Sequence, residues 1–220
     1  MQWLAIVTML ADHIGAVWFP DAPVWRLIGR LAFPIYAYYV AVGMARTRNR
    51  RTYVIRLASL AAISQLPFML LFNTWTVNVI GTFLVSVTAI YRMERTDDPR
   101  LKWLWPAGAA VLMETVPFDY GAYGLALILL YRYVQGELMW LGHLAMNAVY
   151  WSMGSTPLQV FSVFPTFLFA FMIGGAVRAS GSGGSLPALS YSAPRWLWRA
   201  WYPAHLALLA VIAFATGVRS

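Results

Sequence analysis

The chain has 220 residues, of which 60% are hydrophobic, 16% aromatic and 11% charged, with a formal net charge of +8. So few charges and a mean hydropathy of +0.62 exclude a disordered chain, a coiled coil and an ordinary water-soluble domain, in which about a quarter of residues are charged. Cysteine is absent, which excludes disulfides, thiolate nucleophiles and cysteine-bound metal.

An all-α fold remains: a polytopic integral membrane helical bundle. Backbone polar groups in lipid are satisfied only within helices or closed barrels. A barrel needs short segments of alternating polarity, and the apolar runs here are longer and do not alternate. A crossing takes about 20 residues. The apolar runs 3–19, 25–45, 53–73, 77–92, 102–116, 121–135, 137–152, 157–178 and 199–217 therefore predict about nine transmembrane helices in a single domain, 1–220. The fifth, sixth and seventh runs are short or interrupted. No cleavable leader is expected, because Asp12 and His13 follow the first apolar residues.

The charges fix an orientation. Arg46–Arg51, then Arg92, Arg95, Arg100 and Lys102, then Arg132, then Arg178, Arg195 and Arg199 occupy alternate loops. The intervening loops 20–24, 73–77, 116–120 and 152–156 hold no Lys or Arg. The positive-inside rule places the N-terminus of this multi-pass chain in the cytoplasm. The net charge is thereby assigned to membrane topology, and nucleic acid is not expected as a partner. Residues 179–198, opening on a Gly/Ser-rich run, predict a flexible cytoplasmic loop. No internal repeat is visible, which argues against an inverted-repeat transporter.

Ionisable groups inside a span cost about 2.5–3.5 kcal/mol each on insertion scales and need partners or a wet cavity. Asp12 and His13 lie just past the middle of the first run. Arg26 and Arg30 share a face of the second. Pro34 follows one more helical step and, lacking an N–H, loosens the helix at Arg30. A short loop makes these runs antiparallel neighbours, so Asp12 is expected to pair with Arg30. His13 is then the readily titrating group beside the pair, suited to proton transfer near neutral pH. The plain alternative is a buried histidine hydrogen-bonded between helices.

Other polar residues follow in order. Ser64 and Gln65 lie before Pro67. Asn78, Thr82 and Ser86 form a stripe. His143 shares a face with Asn147, and Tyr202 shares one with His205. Interhelical hydrogen bonds explain each stripe unless several converge on one cavity. Glu114 and Asp119 read as solvated charges near the outer surface. Three histidines on different runs are too dispersed for zinc, and no metal is expected. Arg46, Arg48, Arg50, Arg51 and Arg56 are either topogenic charge facing anionic membrane lipid or a clamp for the phosphates of a cytosolic cofactor.

Several of these residues sit in recognisable runs: Leu4–Ala16 with Asp12 and His13, Ile28–Tyr36 with Arg30 and Pro34, Arg46–Leu57, and Ile63–Phe68 with Gln65 and Pro67. In combination they resemble the TraX family, named for a conjugal-transfer protein that acetylates the amino terminus of pilin. Looser matches follow at Asn78–Phe83, Tyr120–Gly124 and Trp201–Leu206, so the resemblance covers nearly the whole chain. It implies an acyltransferase that moves an acetyl group from cytosolic acetyl-CoA to an amine or hydroxyl of a pilin or surface-glycan acceptor. His13 would be the catalytic base, with Asp12 and Arg30 fixing its surroundings. The arginines at 46, 48, 50, 51 and 56 would hold the acetyl-CoA phosphates. Gln65, Asn78, Arg26, Tyr202 and His205 are candidates for substrate or oxyanion contacts. Two other readings stay open: a transporter or proton-coupled carrier that uses the same polar groups as a relay, and a non-enzymatic pilus assembly factor.

Overall fold

The computed structural model describes residues 1–180 and 193–218. Among the described residues it is helical, and the only extended pairing is an isolated bridge between Val77 and Phe118. In chain order the helices are α1 (Gln2–Trp18), α2 (Pro23–Gly29), α3 (Ala32–Arg46), α4 (Arg50–Phe72), α5 (Val79–Met93), α6 (Leu104–Thr115), α7 (Gly121–Tyr133), α8 (Glu137–Ser152), α9 (Val163–Ser180) and α10 (Arg195–Thr216). Short 3-10 turns, Leu101–Trp103 and Pro157–Ser162, precede α6 and α9.

Each expected apolar run falls on helix. The second is the rod Pro23–Arg46, interrupted between α2 and α3. The interruption lies just ahead of Pro34, whose ring nitrogen cannot donate to the Arg30 carbonyl. The amides of Arg30 and Leu31 still reach Arg26 O (3.1 Å) and Ile28 O (3.2 Å), which tightens the chain through the break.

Three helices, Pro23–Arg46, Arg50–Phe72 and Trp196–Thr216, are long and apolar enough to cross a membrane. Val79–Met93 and Pro157–Phe171 are apolar but shorter. The expected fifth and sixth spans are helices of only 12 and 13 residues, about 18–20 Å long against a hydrocarbon core of about 30 Å. The outward faces carry large apolar side chains: Ile63, Leu66 and Leu70 on α4, and Leu208, Val211 and Phe214 on α10, with Phe214 91% exposed. Such contiguous stripes are rare on surfaces that meet water and ordinary on surfaces that meet lipid.

The chain forms two compact units, Met1–Val42 with Leu130–Trp198, and Gly43–Leu129 with Arg199–Ser220. Of the expected flexible loop at 179–198, residues 181–192 lie outside the described residues, and α10 already begins at Arg195.

In the first unit Tyr38 of α3 stacks on Phe169 of α9 (centroids 4.2 Å apart) and meets Tyr131 edge-on, while Tyr36 stacks on Trp198 at 4.4 Å. A fully buried polar chain crosses this core. Tyr131 bonds Thr166, whose hydroxyl lies 2.7 Å from His143 Nδ1, and His143 Nε2 lies 3.2 Å from Ser162 Oγ. Asn147 Nδ2 donates back to the His143 carbonyl at 2.9 Å. The His143–Asn147 stripe is therefore a helix-to-helix brace between α8 and the start of α9.

In the second unit the loops before α5 and before α7 are stitched together. Val77 N donates to Pro117 O and Asp119 N to Val77 O, both at 2.8 Å, and Thr82 Oγ1 donates to Asp119 O. Ser86 closes onto Thr82 O at 2.7 Å, so this stripe too is absorbed by packing.

Candidate functional site

The candidate site grows from the α1–α2 hairpin of the first unit. A tight turn, with Ala22 N on Phe19 O at 3.0 Å, reverses the chain, and Pro23 opens α2 with its φ already helical. Two glycines let the helices close. A Cβ on Gly15 would strike Trp25, and a Cβ on Gly29 would strike the Asp12 side chain. Small residues at such crossings bring backbones into contact where lipid supplies no hydrophobic drive.

That register decides the ion pair. Gly29 faces Asp12 directly, so the arginine one turn earlier on the same face reaches the carboxylate: Arg26 Nη1 donates to Asp12 Oδ1 at 3.0 Å. The expected Asp12–Arg30 pair is corrected to Asp12–Arg26. Arg30, one residue beyond Gly29 at the helix break, makes no direct ion pair with Asp12, although its positive charge still acts on that carboxylate. Its Nε is buried and without a hydrogen-bond partner among the described residues, as is the Tyr36 hydroxyl. The Asp12 side chain is 17% exposed and that of Arg26 36%, so the carboxylate is the more withdrawn partner. His13, the next residue on α1, is half-buried.

Gly29 was not singled out from the sequence. A small residue within a helix opposite an intramembrane carboxylate was the available signal. Gly29→Ala is expected to displace Asp12 from Arg26 and to cost about 1–3 kcal/mol, the usual range for overpacking. Gly108→Ala, where an added Cβ meets nothing within 4 Å, is the neutral control. Thermal unfolding in detergent checks both.

The other candidates belong to the second unit. Asn49 caps α4, its side chain accepting from Thr52 N at 3.0 Å, and arginines flank this cap. Arg48, Arg51 and Arg56 are exposed, as is Arg46 at the end of α3. Arg50 is engaged, with Nη2 2.7 Å from Glu94 Oε2 and its guanidinium 4.6 Å from the Tyr91 ring centroid. It anchors α4 to α5 and is removed from the set of arginines open to a phosphate.

Gln65 and Asn78 are also engaged, Asn78 fully and Gln65 with one Nε2 proton left over. Asn78 Oδ1 caps α5 by accepting from Ile80 N (3.0 Å) and Gly81 N (3.2 Å), and its amide donates to Ala61 O and Gln65 Oε1, both at 2.8 Å. Gln65 Nε2 donates to Thr76 O at 2.8 Å, and its Oε1 also accepts from Asn78 N at 3.0 Å. No donor of Asn78 is left for a thioester oxygen, so the pair braces α4 against the start of α5. Tyr202 and His205 are buried on α10. His205 Nδ1 lies 2.6 Å from Trp201 O one turn earlier, and its ring stacks on Trp201. Glu114 is exposed, as expected of a solvated charge, and also accepts from Ala122 N at 3.2 Å at the start of α7.

Comparison with known proteins sets this hairpin in a family. The model of the family described as TraX protein matches residues 1–213. The chain belongs to the TraX family. The match takes in the hairpin, the arginine-flanked cap and the Asn78 brace together. A protein of Dichelobacter nodosus named "Probable fimbrial assembly protein FimC, serogroup H1" is 25% identical over 244 residues, covering 95% of this chain and 92% of its own. A Rickettsia prowazekii (strain Madrid E) protein, "Uncharacterized protein RP591", is 25% identical over 92 residues, covering 41% of this chain and 35% of its own. No solved structure matches this TraX chain significantly.

Proposed function

We propose that this TraX-family chain is a multi-pass acetyltransferase of the bacterial inner membrane, acting on a pilin or surface-glycan acceptor with acetyl-CoA as donor. The observation that carries the reading is the Asp12–Arg26 pair, held between two glycine-closed helices beside a half-buried His13. A carboxylate and a histidine on an apolar helix are costly unless they serve chemistry or packing, and Asp12 here is fixed by a partner instead of being spent on backbone. The family resemblance supplies the acetyl donor. The name of the Dichelobacter relative supports the pilus context.

In this reading the N-terminus is cytoplasmic and the helical rods cross the bilayer about nine times, with α6 and α7 spanning thinned or protein-lined regions. Arg46, Arg48, Arg51 and Arg56, in the second unit, raise the local concentration of anionic acetyl-CoA by their charge alone. His13 takes the proton from the acceptor N–H or O–H as that atom bonds to the acetyl carbonyl carbon. The carbon–sulfur bond breaks, and the imidazolium returns its proton to the departing CoA thiolate. Asp12, held by Arg26, orients His13 and offsets its transient positive charge. The buried Arg30 Nε, with hydrogen-bonding capacity left, takes the oxyanion role first considered for Asn78 and Gln65.

The test is transfer of labelled acetyl from acetyl-CoA by the purified chain, paired with mass spectrometry of pili and envelope glycans from a deletion strain. One acetyl mark should vanish with the gene. A second reading, pilus assembly without catalysis, is favoured by the words "fimbrial assembly" in the relative's name. It is the outcome if pili are lost from the deletion strain and no acetylated species changes.

A further inference from the structure

Within the second unit, α5 and α6 lie side by side and leave a groove of about 910 Å³. Its walls are apolar stripes, Leu84, Val85 and Ala89 from α5 and Leu104, Gly108 and Leu112 from α6. The polar atoms along it are already satisfied. Thr88 Oγ1 donates to Leu84 O at 2.8 Å, Thr96 Oγ1 to Arg92 O at 2.9 Å, and Trp105 Nε1 to Thr96 Oγ1 at 3.0 Å. From Leu84 to Arg92 the groove therefore offers hydrocarbon for about 12 Å of helix. At its end stands the exposed Arg92 guanidinium, 5.6 Å from the Trp105 ring centroid. Among the described residues no carboxylate lies within ion-pairing distance of it. Of the three acidic groups of the same connection, Glu94 is directed to Arg50 and Asp98 to the amides of Arg100 and Leu101, and the exposed Asp97 forms no ion pair with Arg92.

A long apolar slot that ends in one cation complements a molecule with a hydrocarbon tail and an anionic head. We propose that the α5–α6 groove binds an anionic phospholipid, one acyl chain lying between the helices and its phosphate on Arg92. The basic side chains Arg95, Arg100 and Lys102 in the same connection add positive potential at that end. Trp105, ringed by Arg92 and Thr96, sits where an indole at the headgroup level is expected. The inference uses the membrane placement of α5 and α6 from the proposed reading and none of its acyl-transfer chemistry. A chain that binds lipid here and transfers no acetyl group would uphold this site and end that one.

Gly108 supplies the test. Gly108 lines the groove, and a Cβ added there meets no heavy atom within 4 Å. The full chain in detergent is offered phosphatidylglycerol and phosphatidylcholine with identical acyl chains, and bound lipid is counted by native mass spectrometry. The wild type should retain one phosphatidylglycerol with about a fivefold preference, the factor that one basic side chain near an anionic headgroup supplies. Gly108→Leu should lose that lipid at an unchanged unfolding temperature. Arg92→Gln should keep a lipid and lose the preference, which decides the matter even if Gly108→Leu fails to fold. Equal retention of both lipids by the wild type, or undiminished phosphatidylglycerol on folded Gly108→Leu, overturns the site.

Discussion

Replacing His13 with alanine is expected to lower acetyl transfer by about 10²–10⁴, the span that a positioned general base contributes, while the folded fraction in detergent stays unchanged. The separation is possible because of where His13 sits. It is half-buried and adjacent to the ion pair, whereas the closure of α1 on α2 is carried by Gly15 against Trp25 and Gly29 against Asp12. Asp12→Asn should fall between, because the amide oxygen still accepts from Arg26 but the charge that supports an imidazolium is gone. Initial rates with labelled acetyl-CoA, measured beside unfolding curves, separate the two contributions. Full acetyl transfer by His13→Ala would remove the basis of the proposed chemistry. Substrate flux in proteoliposomes that needs His13 and no acetyl-CoA would restore the carrier reading.

The largest stability effect is expected at Asn78. Alanine there removes a helix cap, worth about 0.5–2 kcal/mol. It also strips Ala61 O and Gln65 Oε1 of a buried donor, worth about 1–2 kcal/mol more. The sum, about 1.5–4 kcal/mol, is large for one polar side chain because a single fully buried amide serves four partners on two helices. Asn78→Asp keeps the acceptor that caps α5 but sets a buried carboxylate oxygen against Ala61 O and Gln65 Oε1, so it should recover none of the loss. Thermal unfolding in detergent measures both. An Asn78→Ala chain as stable as the wild type yet unable to transfer acetyl would return Asn78 to the oxyanion role.

The contrast between Asn78 and Asp12 shows how far residue order alone carries. Apolar runs located the helices, since the length and composition of a run determine what can be buried or face lipid. The missing N–H of Pro34 located the break between α2 and α3. The choice between Arg26 and Arg30 depended on helix register, set by two glycines whose small size mattered only against a particular neighbour. Stripes such as Asn78–Thr82–Ser86 and His143–Asn147 revealed a polar face but not its partners. Thr166, Ser162 and Asp119 O come from distant parts of the chain, and nothing local to the stripe points to them. The division into two compact units was hidden for the same reason, because each unit joins segments far apart in sequence.

That discontinuity has a consequence for biogenesis. Tyr38 is made early, while its stacking partner Phe169 emerges only after α4 to α8 have been threaded out of the ribosome. The α1–α3 segment, with the Asp12–Arg26 charges in it, therefore waits for its α9 partner through most of translation. A chain that stalls before α9 is left with an open, unpaired core, a natural target for quality-control proteolysis.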